Sequence, residues 1–314
     1  MHPMSGDSQA KSPSKAQTFA RRLGSTLFLW AVVAGVFLSA WTWAFLGLLS
    51  ILMIVATLEY FQMLKKAKIP CFPTFGLICS IAFCVLEFGP ILFEFRKILP
   101  IDALSIPAVL IGCFALQLRH KIEGINALVG VGANLVGFVY FTLMFSFSVH
   151  LLFQPILMDA SPIDLDLNHL PPSSCILLLW LIAVTKFTDM GAYITGSLIG
   201  KHKMIPHVSP GKTWEGFAGG LCFAQVAGFG LYFAFSDHLT ILGGPVHVAI
   251  LGVILALLAV IGDLAASVIK RSLHAKDSGQ MLPGIGGSLD LIDSICFTAP
   301  ALYFYLECLQ MTAS

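Results

Sequence analysis

Apolar residues in this chain run in long unbroken blocks, with neither the every-other-residue alternation of a half-buried strand nor the narrow stripe of a surface helix. The blocks lie near 23–41, 43–64, 74–95, 103–118, 127–153, 173–199, 216–236, 246–269 and 295–311. About 20 mostly apolar residues are needed to cross roughly 30 Å of hydrocarbon as a helix, so the pattern predicts an all-α polytopic membrane protein with nine spans. The fourth block is short and contains Pro107; the fifth and sixth are long enough to tilt. The first 22 residues are polar, rich in Ser and Lys, and read as a flexible tail. The apolar run that follows exceeds the usual 7–15 residues of a secretory signal, which predicts a retained first span, with a cleaved signal as the alternative. The chain thus divides into a tail (1–22), amino-terminal spans with an acidic connecting loop (23–172), and a carboxy-terminal region of four spans (173–314). No internal repeat suggests the inverted halves of a transporter.

Composition agrees: 57% of the 314 residues are apolar and 11% charged, with a mean hydropathy of +0.87. Such a chain is not a water-soluble domain. Lys and Arg stay preferentially on the cytoplasmic side of short loops. With the amino terminus inside, Lys11, Lys15, Arg21, Arg22, Lys65, Lys66, Lys68, Arg119, Lys121, Lys201, Lys203, Lys212, Lys270, Arg271 and Lys276 fall inside, fifteen of the eighteen. Arg96 and Lys97 fall outside and Lys186 within a span; the loop carrying Asp159, Asp164 and Asp166 also falls outside. This predicts a cytoplasmic amino terminus and an external carboxy terminus. The eight cysteines lie in or beside apolar runs and form no zinc-type cluster, so they read as buried thiols.

Charge is scarce, so its concentration marks chemistry. From Ser267 to Asp293 the chain holds three basic residues, three acidic residues and four glycines. Asp263 lies near the end of the eighth span, where a carboxylate at membrane depth costs about 2.5–3.5 kcal/mol unless it meets water, a cation or a partner. Asp290 and Asp293 are three apart and share a face if helical. Asp263, Asp290 and Asp293 either hold a hard cation such as Mg²⁺ against substrate phosphates or pair with Lys270, Arg271 and Lys276. Ser267 and Lys270 share the face of Asp263 by their spacing. The basic residues either bind phosphate or merely meet lipid headgroups. The run Pro283-Gly284-Ile285-Gly286-Gly287 is either a phosphate-approaching loop, since glycine lets backbone amides come close, or a bare turn.

A second polar element is Ser209-Pro210-Gly211-Lys212-Thr213-Trp214-Glu215-Gly216. Ser followed by Pro predicts a helix start with Ser209 as cap, which would put Lys212 and Thr213 in an anion-attracting first turn. It is no Walker A loop, because Pro206 stands where glycine is needed. Lys186 and Asp189 in the sixth span either neutralise each other or place Asp189 in the same polar cavity as Asp263.

These residues resemble a known family. Ser267, Lys270, Arg271, Lys276, Asp277, Pro283, Gly284, Gly286, Gly287, Asp290 and Asp293 occupy without a gap the pattern S-x-x-K-R-x4-K-D-x5-P-G-H-G-G-x-x-D-R-x-D. That is the signature of the CDP-diacylglycerol synthases, or phosphatidate cytidylyltransferases. Thr188 to Gly196 is similar to the family's D-x-G-A-Y-x-x-G segment, and Ser209 to Gly216 to its S-P-K-K-T-W-E-G segment. Ile285, Leu291 and Gly211 depart from the pattern, standing for His, Arg and Lys.

The resemblance implies transfer from CTP to phosphatidate, giving CDP-diacylglycerol and pyrophosphate, with Mg²⁺, at the cytoplasmic face of a membrane, the bacterial inner membrane being expected. It implies metal binding by Asp263, Asp290 and Asp293, and phosphate binding by Ser209, Lys212, Thr213, Ser267, Lys270, Arg271, Lys276, Gly286 and Gly287, with Asp189 and Asp277 as secondary candidates. CTP, phosphatidate and membrane lipid are the expected partners, and no nucleic acid is. One or two divalent cations, a monovalent cation and a homodimer stay open. Rival readings are an isoprenoid-lipid cytidylyltransferase, a CTP-dependent polyprenol kinase and an anion transporter.

Overall fold

The computed structural model describes residues 27–28, 30–92, 100–122, 124–158, 168–275, 278–279 and 287–313. The described chain is almost wholly helical: α1 (Trp30–Ser39), α2 (Thr42–Lys66), α3 (Pro73–Leu92), α4 (Ile101–Gln117), α5 (Asn126–Gly137), α6 (Met144–Met158), α7 (Pro172–Ile199), α8 (Trp214–Ala234), α9 (Pro245–Ser272) and α10 (Ser288–Ala313). A π-helical stretch, Phe138–Leu143, joins α5 and α6 into one span. Within the described residues, each of the nine apolar blocks overlaps one of these helical segments. Among the described residues, six segments are long and apolar enough to cross a membrane: α2, the α5–α6 rod, α7, α8, α9 and α10; α1, α3 and α4 are shorter apolar helices.

One exception to the all-α expectation sits beside the site. Strands β1 (Lys203–Ile205) and β2 (Ser209–Thr213) pair antiparallel, Lys203 opposite Thr213 and Ile205 opposite Ser209. Ser209 is therefore not a helix cap, and Lys212 is not in a first helical turn. The helix begins at Trp214, and Thr213 is its cap, its side chain accepting the Gly216 amide at 3.1 Å. Backbone pairing outcompetes the Ser-Pro start signal here: the Trp214 amide donates to the His202 carbonyl at 3.0 Å. The Glu215 carboxylate closes the base of the hairpin, accepting the Lys201 and His202 amides at 3.2 Å.

Helices α7 and α8 lie closely against each other. A Cβ on Gly220 would meet the Thr188 carbonyl at 2.9 Å and one on Gly216 the Ala192 carbonyl at 2.7 Å. Glycines four apart thus let the two backbones approach, the small-residue packing that works where lipid supplies no hydrophobic drive. Helix α10 packs against α9, α6, α2 and α7. It starts at Ser288, earlier than the apolar block at 295 suggested, so Asp290 lies in its first turn and Asp293 one turn further. Carboxylates are favoured at that end because the helix dipole is positive there.

Candidate active site

A cavity of about 540 Å³ opens between α7, the β-hairpin, the start of α8, the end of α9 and the start of α10. Asp189, Ser209, Lys212, Thr213, Asp263, Asp290 and Asp293 all line it, together with Lys203, Tyr193 and Gly211. Residues as far apart in sequence as Asp189 and Asp293 are thereby brought to one place.

Three of the cavity's four carboxylates lie beside cations. Lys212 Nζ lies 2.9 Å from Asp263 Oδ2 and donates to the Val260 carbonyl at 3.1 Å. Lys270 Nζ lies 2.6 Å from Asp290 Oδ1, and Ser278 Oγ donates to Asp290 Oδ2 at 2.8 Å. Lys186 Nζ lies 3.7 Å from Asp189 Oδ2. Asp293, 4% exposed, accepts the Ser294 amide at 2.6 Å and the Ser294 hydroxyl at 3.2 Å through Oδ1. Both alternatives for Lys186 and Asp189 hold together, since they form a pair and Asp189 lines the cavity.

Other expected residues lie apart from the lining. Arg271 is exposed and latches the hairpin, its Nε donating to the Val208 carbonyl at 3.5 Å. Ser267 is half-buried on α9 outside the lining. Gly287 is buried, and a Cβ there would collide with Ser278 Oγ and come within 2.6 Å of Glu59 Oε2. Lys276, Asp277 and Gly286 lie outside the described residues. Of the three departures, Gly211 lines the cavity with open space around it. Leu291 packs against the core, a place suited to its apolar side chain. Ile285 lies outside the described residues.

Sequence reasoning missed Glu59. It is 0% exposed in the middle of α2, and its Oε2 accepts the Leu289 amide at 3.0 Å, capping the first turn of α10 from another helix. It also missed Tyr140, in the π-helical stretch, whose hydroxyl donates to the Gly262 carbonyl at 3.0 Å beside Asp263. A lone carboxylate inside an apolar run was a visible signal for Glu59; nothing in the sequence marked Tyr140.

Four carboxylates line the cavity, and Asp263, Asp290 and Asp293 among them form an all-oxygen donor set, which suits Mg²⁺ and similar hard cations. The neighbouring ammonium groups and the Thr213 cap supply donors for anionic oxygens.

A family profile described as the cytidylyltransferase family matches residues 20–309. The chain is 42% identical over 141 residues to a phosphatidate cytidylyltransferase of Haemophilus influenzae, covering 44% of this chain and 48% of that one. It is 38% identical over 132 residues to the uncharacterized protein YnbB of Escherichia coli, covering 42% and 43%. With a phosphatidate cytidylyltransferase of Bacillus subtilis it is 43% identical over 119 residues, covering 38% and 43%. The matched stretch thus spans about half the length of these curated relatives. The profile match runs from before the first described helix to the last turn but one of α10 and takes in every residue of the cavity, and on it the chain belongs to the cytidylyltransferase family.

Proposed function

We propose that the chain is a phosphatidate cytidylyltransferase, joining CTP to phosphatidate to give CDP-diacylglycerol and pyrophosphate. The observation that carries the reading is the pairing of Lys212 with Asp263 and Lys270 with Asp290 around one cavity at the end of apolar helices. Each pair sets a cation-seeking group beside a phosphate-seeking one. The similarity to relatives named for this activity supports the same substrates.

Asp263, Asp290 and Asp293 would hold Mg²⁺, which when bound neutralises phosphate charge and stabilises the leaving pyrophosphate. This chain's own residues do the rest. Lys212, released from Asp263, turns to a phosphate oxygen; Ser209 and Thr213 line the same wall, and Lys203 adds a cation beside Gly211, where the family signature has another lysine. Arg271 holds the hairpin that carries Lys212. The phosphatidate oxygen attacks the α-phosphorus of CTP in line, and pyrophosphate departs opposite. A phosphate monoester has a second pKa near 6 and is largely dianionic at neutral pH, so positioning and charge stabilisation suffice without a strong base, and Ile285 in place of His is tolerated.

In this reading all nine helical segments cross the bilayer, with the amino terminus cytoplasmic. The hairpin and the α9–α10 connection then share the cytoplasmic side of an inner membrane, and the acyl chains of the substrate stay in lipid. Residues 173–314 supply every lining residue, and the amino-terminal spans buttress them, Glu59 above all.

The test is product analysis with the purified, detergent-solubilised protein given CTP, Mg²⁺ and phosphatidate. CDP-diacylglycerol and pyrophosphate from the wild type, and neither from Asp290→Asn, are expected. CDP and a phosphorylated lipid, or no turnover with phosphatidate alongside turnover of an isoprenoid phosphate, would overturn the assignment.

A further inference from the structure

At the far end of the bundle three helices bring together Glu87 of α3, Asp102 at the start of α4 and His150 of α6. We propose that these three residues form a second cation site, for a divalent transition-metal ion of the zinc class, separate from the nucleotide cavity.

His150 Nε2 lies 3.0 Å from Glu87 Oε1 and 3.6 Å from Asp102 Oδ2, and one ligand atom from each residue falls within 4.8 Å of the others. Ligands bound at about 2.0–2.1 Å around a tetrahedral zinc ion stand roughly 3.3 Å apart, a spacing the two observed distances bracket. One imidazole and two carboxylates suit zinc and its neighbours better than Mg²⁺ or Ca²⁺, which prefer oxygen alone.

A second observation concerns what holds the imidazole. Its ring is flanked by Phe147 and Tyr303, with ring centroids 5.4 and 5.7 Å away. His150 Nδ1 is buried with no hydrogen-bond partner among the described residues, and so is Gln154 Oε1 one helical turn along on the same face of α6. Gln154 is 1% exposed, and its amide nitrogen is already fixed on Glu307 Oε1 at 3.2 Å. Metal-binding histidines almost always donate their second N–H to such an acceptor. With an ion bound at Nε2, the nitrogen that meets the two carboxylates, Nδ1–H would turn to the unpartnered Gln154 Oε1, a bond the two atoms do not make in this structure.

The site is not the catalytic one. Glu307 and Tyr303 lie 13 to 17 residues beyond Asp290 on α10, about 20–25 Å along a helix rising 1.5 Å per residue. Glu87 is 1% exposed, whereas the Asp102 side chain is 39% exposed. An ion there would tie α3 and α4 to α6, and its presence does not depend on the proposed reaction.

The test is zinc binding by the purified full chain in excess Mg²⁺, read as metal content by mass spectrometry and as ligand type by X-ray absorption. One zinc ion per chain in a nitrogen and oxygen shell is expected. Asp102→Asn, chosen for its exposed position, and Glu87→Gln should each weaken binding by at least about tenfold, while Asp290→Asn should leave it unchanged. If Glu87→Gln does not fold, Asp102→Asn and the wild-type absorption spectrum still decide the matter. No retained zinc, sulfur ligands from the free cysteines, or equal binding by Asp102→Asn would overturn the site.

Discussion

Glu59 offers the sharpest test of how this bundle positions its site. The residue is fully buried, its carboxylate accepts the Leu289 amide at 3.0 Å, and Leu289 directly precedes Asp290. A hydrogen bond to a charged group contributes about 1.5–3 kcal/mol, and an amide left unsatisfied costs about 1–3 kcal/mol. Glu59→Ala should therefore destabilise the protein by about 3 kcal/mol. Glu59→Gln keeps an oxygen acceptor but loses the charge, and charge-assisted bonds are about twice as strong as neutral ones, so its loss should be about 1 kcal/mol. Thermal unfolding in detergent orders the three proteins: wild type, then Gln, then Ala, the last lower by several degrees. Pyrophosphate release, measured well below the unfolding temperature, separates positioning from stability. If Glu59 aims Asp290 and Asp293, Ala lowers turnover about tenfold or more, since 1.4 kcal/mol is a factor of ten, while Gln retains most of it. An Ala variant as stable and as active as the wild type would refute the reasoning.

Other perturbations act on the same frame. Lys270→Met should remove the cation from Asp290, abolish product formation and cost about 3–5 kcal/mol by leaving a part-buried charge unmatched; Lys270→Arg should recover part of the stability but little activity. Gly220→Leu should force α7 and α8 apart, because even a Cβ meets the Thr188 carbonyl at 2.9 Å; an overpacking loss of about 1–3 kcal/mol is expected in unfolding experiments. Thr213→Ala should cost about 1 kcal/mol through loss of the α8 cap, and Thr213→Ser should restore it. Chelating divalent cations should stop product formation, and adding back Mg²⁺ should restore it, as followed by pyrophosphate release.

Much of the helix plan was legible, because apolar blocks of membrane-spanning length have few alternatives. The hairpin was not: Ser209-Pro210 reads locally as a helix start, and only pairing with Lys203–Ile205 makes it a strand. Asp290 and Asp293 lie ahead of the apolar block at 295, yet the helix starts at Ser288 and takes them in, because acidic residues are favoured at a helix amino terminus. The site was partly legible for the same reason that it is chemical: in a chain with 11% charged residues, clusters of charge stand out. Lone charges were harder to rank. Glu59 and Lys203 lie far from the signature segment in sequence, and only the packing of α2 on α10 and the register of the hairpin bring them to it.

The ion pairs around the cavity bear on how such a site can exist in a membrane at all. Separate buried charges are costly, and each would oppose insertion of its helix. Matched pairs drawn from different elements, Lys212 of the hairpin with Asp263 of α9 and Lys270 of α9 with Asp290 of α10, lower that cost once the bundle has formed. On the proposed function, a triphosphate and a divalent cation arriving together would exchange into these pairs, anion to lysine and cation to carboxylate, keeping charge balanced throughout binding. The exchange predicts that neutral donors of similar size would not serve in place of the lysines. It also requires cation and nucleotide to bind with positive coupling, since either one alone must break a pair without replacing both partners. Titrating CTP at saturating and at trace Mg²⁺ should show affinities that differ well beyond what metal chelation by free CTP accounts for; equal affinities would mean that the pairs stay closed and that phosphate is held elsewhere.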